Sequence, residues 1–112
     1  MESTRTIEQL SALAHAGRLS VFRLLVRAAP GGLPAGDIAR QVGIPPNTLS
    51  AQLTILNHAG LVHHRREGRS IIHSADTGAM SALILYLMDD CCSGRPEICG
   101  PVLKAAHDAA CC

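Results

Sequence analysis

The chain has 112 residues, which suffices for one domain with a modest hydrophobic core. Its formal net charge is +1 and only 2% of its residues are aromatic, which argues against a uniformly basic surface and against nucleic-acid binding by base stacking. No apolar segment of a signal peptide follows the N-terminus, and the longest apolar run, residues 83–88, is too short to cross a bilayer. We therefore expect a cytoplasmic protein without a membrane partner.

The first part of the chain predicts two helices. Thr6 and Gln9 have the spacing of a capping box, so the first helix is expected to begin there and to run to about residue 15. The second is expected over residues 18–28, before a Pro-Gly-Gly sequence that ends it. Apolar residues recur at near-helical spacing in both: Ile7, Leu10, Leu13 and Ala14 in the first, and Leu19, Phe22, Leu25 and Val26 in the second.

Two further helices joined by a short turn predict a helix-turn-helix. The third helix spans residues 35–42 and ends at Gly43, where a positive φ angle is favourable. The fourth begins at Pro46, which suits the first helical position, and runs to about residue 59. Its leucines at i, i+4 and i+7 form an inward stripe, so the small polar residues between them are expected to face outward: Leu49, Leu53 and Leu56 are the stripe.

A β-hairpin and a long helix complete the domain. Residues 61–66 and 70–75 are predicted strands on either side of a Glu-Gly turn, and the hairpin carries the local excess of arginine. The last helix is expected over residues 77–90, with an apolar stripe wide enough for core packing or for a dimer interface. The predicted fold class is therefore mainly α with a small β-hairpin: a winged helix-turn-helix, assembled as a homodimer.

This fold predicts a DNA-binding surface made of the fourth helix and the hairpin. The helix fits the major groove, and the arginines can reach phosphates or the adjacent minor groove. The residues expected at the DNA are Asn47, Thr48, Ser50, Gln52 and Thr54 on the helix and Arg65, Arg66 and Arg69 on the hairpin. From the residues alone two other interpretations stay open: the helical pattern reflects packing only, or the arginines are a solvated edge that resists aggregation.

Four segments form a distinctive combination: Ile-Pro-Pro-Asn-Thr-Leu-Ser-Ala-Gln-Leu at 44–53, Leu-Asn-His-Ala-Gly-Leu-Val at 56–62, Ala-Gly-Arg-Leu at 16–19 and Arg-Glu-Gly-Arg at 66–69. Together they resemble the ArsR/SmtB family of metalloregulatory repressors. The similarity extends over about residues 4–90. Gln52 departs from it, because the family often has His at this place, and this leaves the operator sequence open. The resemblance implies a homodimer joined through its first and last helices, and a repressor that an effector releases from operator DNA.

The cysteines predict a sensor. All five lie beyond residue 90, clustered and odd in number, which favours metal binding or thiol chemistry over a disulfide scaffold: Cys91, Cys92, Cys99, Cys111 and Cys112. Three thiolates suit As(III) or Sb(III), whereas structural zinc usually takes four ligands. The spacing also resembles the arsenic-responsive subgroup with a site after the last helix. That resemblance implies ligand roles for Cys91, Cys92 and Cys99, with Cys111 and Cys112 as possible auxiliary ligands.

The predicted function is an As(III)- or Sb(III)-responsive transcriptional repressor. Residues 1–92 would form the DNA-binding and dimerisation domain, and residues 93–112 a cysteine-bearing tail. Cd, Pb, Bi, methylated arsenic or thiol oxidation remain alternative signals, and a metal carrier without DNA remains an alternative function. No enzyme is expected, because Cys91 and Cys92 follow a helix C-terminus beside two aspartates, which disfavours a reactive thiolate.

Overall fold

The computed structural model describes residues 3–88, together with residues 101 and 104. Its elements, in chain order, are α1 (Ser3–Leu13), α2 (Ala16–Arg27), β1 (Leu33–Pro34), α3 (Ala35–Val42), α4 (Pro46–His58), β2 (Val62–Glu67), β3 (Ser70–Ala75) and α5 (Thr77–Met88). Helices α3 and α4 form the helix-turn-helix, and β2 with β3 forms the hairpin that we call the wing. The predicted winged helix-turn-helix is confirmed.

The turn of the helix-turn-helix follows the sequence closely. Gly43 takes a left-handed conformation with φ 80°, and its N–H donates to the carbonyl of Ala39 at 2.8 Å. Pro45 is extended and Pro46 stands in the first turn of α4, where its missing N–H costs no helical hydrogen bond. Both predicted boundaries, at Gly43 and at Pro46, are confirmed because each depends on a local backbone requirement.

The sheet has one strand more than the sequence predicts. The wing strands pair antiparallel, with His64 opposite His73, and β1 pairs with the other edge of β3, so the strand order is β1-β3-β2. Only Leu33 and Pro34 belong to β1. A two-residue strand has no periodicity, so its pairing depends on the tertiary approach of the α2–α3 connection to the wing.

The core lies between α2, α3, α4 and the start of the wing. The predicted stripe of Leu49, Leu53 and Leu56 is buried in it. The largest fully buried side chains are Leu25, Ile38, Leu49, Leu56, Leu61, Val21 and Val62. Burying one such aliphatic side chain stabilises the fold by roughly 1.5–3 kcal/mol, so α4 is anchored mainly by its leucines.

Helix α1 differs from its prediction. It begins at Ser3, so Thr6 and Gln9 lie inside the helix and do not cap it. Both side chains are buried, and Gln9 Nε2 donates to the carbonyl of Ala59 at the end of α4, at 3.3 Å. The capping-box prediction is therefore wrong: the same spacing of three residues also places two polar side chains on one buried face.

The start of α2 also differs, because a side chain not singled out in the sequence caps it. The helix begins at Ala16, two residues before the predicted position. His15 is the N-cap, and its Nδ1 accepts hydrogen bonds from the N–H groups of Gly17 at 3.1 Å and Arg18 at 3.4 Å. These bonds satisfy two of the N–H groups that a helix start leaves without partners.

The predicted core stripe of α1 is partly exposed. Ile7 is 65% exposed and Leu10 is 40% exposed, and α1 contacts α5, on which Leu85 is 68% exposed. Other large apolar side chains of α5 are similarly open to solvent: Ile84, Tyr86 and Leu87. One protomer therefore leaves several large apolar side chains of α1 and α5 between 37% and 68% exposed.

No helix in the described part of the chain is long and apolar enough to cross a membrane.

Gly32 gives a stability prediction with a matched control. At φ 81° a Cβ at this position would lie 2.4 Å from the carbonyl oxygen of His73, whereas Gly43, at φ 80°, has nothing within 4 Å of a Cβ. Gly43→Ala should lower the free energy of unfolding by about 1–2 kcal/mol through backbone strain alone. Gly32→Ala should cost about 3 kcal/mol or more, because steric overlap adds to the strain. Urea titrations at one protein concentration measure both, and equal losses would contradict this explanation.

Candidate nucleic-acid interface

Helix α4 presents a polar surface opposite its buried leucines. Asn47, Thr48, Ser50 and Thr54 are all exposed, as the sequence predicted. Asn47 Oδ1 accepts from the N–H of Thr48 at 3.0 Å, and the hydroxyl of Thr54 donates to the carbonyl of Ser50 at 2.9 Å. These local bonds hold short side chains close to the helix, so a flat partner can approach its backbone. Their contacts with DNA stay predictions.

Gln52 is not exposed, contrary to the expectation from the sequence. Its side chain is only 8% exposed and lies against the start of α2, where a Cβ on Gly17 would be 3.0 Å from Gln52 Nε2. Gln52 Oε1 has no hydrogen-bond partner among the described residues. The expectation that Gln52 reaches bases or phosphates is corrected: the residue packs α4 onto α2. The spacing in the sequence indicates this burial, because Gln52 lies three residues after Leu49 and four before Leu56 and so shares their side of the helix.

The three wing arginines are not equivalent. Arg65 is engaged within the protein, because Nη2 donates to the carbonyl of Gly31 and Nε donates to Glu67 Oε2, both at 2.8 Å. Arg66 and Arg69 are exposed and have no hydrogen bond or ion pair with any described residue. Arg65 thus ties the wing to the α2–α3 connection, and Arg66 and Arg69 remain available to a partner.

A cleft that the sequence did not predict lies between α4 and the wing. It has a volume of about 460 Å³, and its polar lining is Ser50, Thr54, Asn57, His58, His64 and His73. The rings of His64 and His73, which are cross-strand partners, have centroids 6.0 Å apart. Burial, and to a smaller extent the neighbouring His64, lowers the pKa of His73. The alternation of strand residues could place His64 and His73 on one face, but only the register brings them opposite each other.

Another histidine of the wing, His63, joins the wing to α5. His63 Nε2 and Asp76 Oδ2 form a hydrogen-bonded pair, and Asp76 Oδ1 accepts from the N–H of Ala79 at 2.8 Å at the start of α5. The Ala79 N–H lowers the pKa of Asp76, and the bond to His63 adds to this. One carboxylate therefore connects β2 with the first turn of α5.

The predicted ion site lies outside the described residues. This applies to Cys91, Cys92, Cys99, Cys111 and Cys112 and to the domain boundary predicted after residue 92. Within residues 3–88, 101 and 104, no group of three or more His, Cys, Asp or Glu side chains is placed to hold a metal ion. The cysteine assignment stays a prediction.

Comparison with known proteins agrees with this geometry. A family model described as "Helix-turn-helix domain" matches residues 13–65. NmtR, an HTH-type transcriptional regulator of Mycobacterium tuberculosis, is 40% identical over 65 residues, which are 58% of this chain and 52% of NmtR. The chain thus spans about half the length of this relative. The biofilm growth-associated repressor of Xylella fastidiosa is 31% identical over 88 residues, covering 79% of this chain and 75% of the repressor.

A solved structure extends the comparison. It is the homodimeric winged helix-turn-helix DNA-binding domain of a possible ArsR-family transcriptional regulator from Mycobacterium bovis. The TM-score is 0.62 at 30% identity, covering 78% of this chain and 81% of that chain. The fold and the exposed α4–wing surface define a winged helix-turn-helix protein. The chain belongs to the ArsR family of transcriptional regulators. The names of these relatives describe regulators, and none describes an enzyme.

The packing role of Gln52 can be tested by an apolar substitution of similar size. Gln52→Leu removes a buried carbonyl that has no partner among the described residues, so the free energy of unfolding should stay the same or rise by about 1 kcal/mol. Affinity for a selected DNA duplex should change by less than about threefold. Loss of a good base contact would cost roughly 1–3 kcal/mol, which is a larger loss of affinity than that. Asn47→Leu, at an exposed position on α4, is the control for a side chain expected to touch DNA. A tenfold or greater loss of affinity in a fully folded Gln52→Leu variant would restore its predicted role.

Proposed function

We propose that the protein is a transcriptional repressor that binds operator DNA as a homodimer and is released when As(III) or Sb(III) binds Cys91, Cys92 and Cys99. The observation that carries the DNA-binding part is the exposed polar face of α4 beside a wing with two unengaged arginines. Membership of the ArsR family supports the regulatory role.

The dimensions of α4 suit the major groove. Its 13 residues extend over about 20 Å, and the exposed residues of its first half are small or short. Asn47, Thr48, Ser50 and Thr54 would contact base edges or phosphates, and Arg66 and Arg69 would bind phosphates or the adjacent minor groove. No Lys or Arg lies on α4, so the wing supplies much of the electrostatic affinity.

The exposed apolar residues of α1 and α5 support a homodimer. Ile7 and Leu85 are each about two-thirds exposed, and the two helices contact one another. Large apolar side chains exposed on two helices in contact mark an interaction surface, and a second copy of the chain would cover them. The related domain from Mycobacterium bovis is homodimeric by its description. A dimer would present two copies of α4 to a palindromic operator with half-sites about 34–36 Å apart, or a multiple of that.

The effector proposal depends on thiol chemistry. As(III) and Sb(III) are soft ions that three thiolates can satisfy, and three cysteines lie within nine residues of sequence at Cys91, Cys92 and Cys99. Cys91 is three residues beyond Met88, the last described residue of α5. Because Asp76 links the first turn of α5 to His63 of the wing, a shift of α5 on ion binding would reach the DNA-binding surface directly.

A second effector class follows from the number of cysteines. With Cys111 and Cys112 the chain offers five thiols, enough for Cd, Pb or Bi, and vicinal thiols also react with methylated arsenic or oxidants. The names of the relatives do not specify an ion.

The DNA-binding proposal is tested with an operator obtained by selection from random duplexes. Arg66→Ala/Arg69→Ala should weaken binding at least tenfold and should lower the salt slope of log Kd by about 0.9 for each phosphate that the wing no longer neutralises. The control is Arg27→Ala, an exposed arginine of α2. Fluorescence anisotropy over a range of salt concentrations measures both. Enrichment of no duplex in the selection would refute DNA binding, and an equal effect of Arg27→Ala would refute the role of the wing.

The effector proposal is tested on the same complex with reduced protein. Arsenite or antimonite should release the wild type from DNA and should leave the Cys91→Ser/Cys92→Ser/Cys99→Ser variant bound, because the variant lacks the proposed thiolates. Cys111→Ser/Cys112→Ser is the matched control and should still respond. Cadmium, zinc and peroxide are added separately to identify another signal. Release of the triple variant by arsenite would place the site elsewhere.

A further inference from the structure

When a winged helix binds DNA, one sugar–phosphate strand lies between its recognition helix and its wing. When a recognition helix lies in the major groove and a hairpin enters the adjacent minor groove, the sugar–phosphate strand between the two grooves passes between them. In this protein the space between α4 and the wing is the cleft lined by Asn57, His58, His64 and His73. The cleft therefore lies where the proposed DNA complex requires a phosphate.

The lining of the cleft suits an anion. Three imidazoles and the hydroxyl of Ser50 can supply hydrogen-bond donors, whereas the Thr54 hydroxyl and the Asn57 amide donate within the protein. Its remaining lining is apolar, and none of the described residues that line it is Asp or Glu. The titratable groups that face the cleft are His58 from α4, His64 from β2 and His73 from β3, and α3 contributes only Ala35.

We propose that this cleft binds a backbone phosphate of the operator, with His64 as a hydrogen-bond donor through Nε2 and His73 as the group that takes up a proton. The inference rests on the proposed DNA-binding function and adds residues that contact the DNA and a dependence of affinity on pH.

The role of His64 follows from its hydrogen bond to Asn57. Asn57 Nδ2 donates to the carbonyl of Val62 at 3.1 Å, which fixes the orientation of the amide, and the same Nδ2 lies 3.3 Å from His64 Nδ1. An amide N–H is a donor, so Nδ1 accepts and the ring N–H is on Nε2. Asn57 thus positions His64 to donate from Nε2 to an oxygen of the phosphate.

The role of His73 follows from its burial. His73 is more buried than His58 or His64, and that burial together with His64 lowers its pKa, so the free protein holds it neutral near pH 7. A phosphate within a few ångströms favours the charged imidazolium and raises the pKa of His73 in the complex. DNA binding then takes up a proton wherever the pH lies between the pKa of the free protein and the higher pKa of the complex.

The sign of the pH dependence is therefore set. A group whose pKa is higher in the complex strengthens binding fully below the pKa of the free protein, and this gain is lost as the pH rises through the pKa of the complex. One linked proton per protomer changes the affinity of that protomer by at most tenfold per pH unit. We expect operator affinity to fall about fivefold or more between about pH 6 and about pH 8.

The experiment measures anisotropy of a labelled selected operator from about pH 5.5 to about pH 8.5, at constant salt and with EDTA present. His73→Gln should abolish most of the pH dependence. His64→Gln should weaken binding by a similar factor at every pH and keep the dependence. The control for the pH dependence is His63→Gln, which is on the same strand as His64 but bonds to Asp76 and does not line the cleft, and it should keep the pH dependence. Circular dichroism at each pH shows that the variants are folded.

A second measurement identifies the phosphate. Single neutral methylphosphonate substitutions are made along the operator. At one position the substitution should lower the affinity of the wild type about tenfold and that of the His64→Gln/His73→Gln variant much less. Inorganic phosphate at a few millimolar, matched in ionic strength with chloride, should leave operator affinity unchanged. Competition by inorganic phosphate that is equal in the wild type and in the double variant would place the competing anion outside the cleft and would overturn the assignment.

The failures of the two proposals are distinguishable. An affinity that does not depend on pH, or a dependence that His58→Gln abolishes and His73→Gln keeps, would overturn the role of His73 and leave DNA binding established. A methylphosphonate scan with equal losses in the wild type and in the double variant would overturn the phosphate site. Failure to select any duplex at any pH would overturn DNA binding itself.

Discussion

The burial of one side of α4 is the constraint on which the rest of the structure depends. Leu49, Leu53 and Leu56 pack into the core formed with α2 and α3, and Gln52 extends this packing to Gly17 at the start of α2. Because a helix is rigid, fixing its inner side fixes the outer side as well. The exposed polar residues of α4 therefore have one orientation relative to the wing. A recognition surface needs this preorganisation, since flexible contacts cost affinity when they are ordered.

The wing depends on contacts from three directions. Asn57 bonds the end of α4 to Val62 and His64, and Arg65 ties the middle of β2 to the α2–α3 connection. The pair of His63 and Asp76 joins β2 to the start of α5. These polar contacts connect the DNA-binding surface with the helix that precedes the cysteines in sequence. The connection to α5 is made at its first turn, through Asp76.

The predictions from sequence were correct at residues that meet a local backbone or packing requirement. Gly43 and Pro46 end and begin helices for backbone reasons, and the leucines of α4 indicate its inner side by their spacing. The capping box predicted at Thr6 was wrong, because a spacing of three residues fits a capping box and a buried polar pair equally well. At Gln52 the spacing favoured burial, but the polar side chain suggested exposure, and packing against a glycine decided between them. The difference between Arg65 and its neighbours Arg66 and Arg69 had no sequence signal, since only the tertiary fold brings Gly31 to the wing.

Local sequence patterns were enough to predict the five helices and the hairpin in their order, the apolar side of α4, the basic wing and the concentration of cysteines beyond residue 90. These properties arise from residues close together in the chain, whose periodicity and backbone preferences act locally. Tertiary structure decided the addition of β1 to the sheet, the cross-strand placement of His64 and His73, and the cleft between wing and α4. Each of these brings together residues far apart in sequence, and their proximity depends on register and packing that no local pattern encodes.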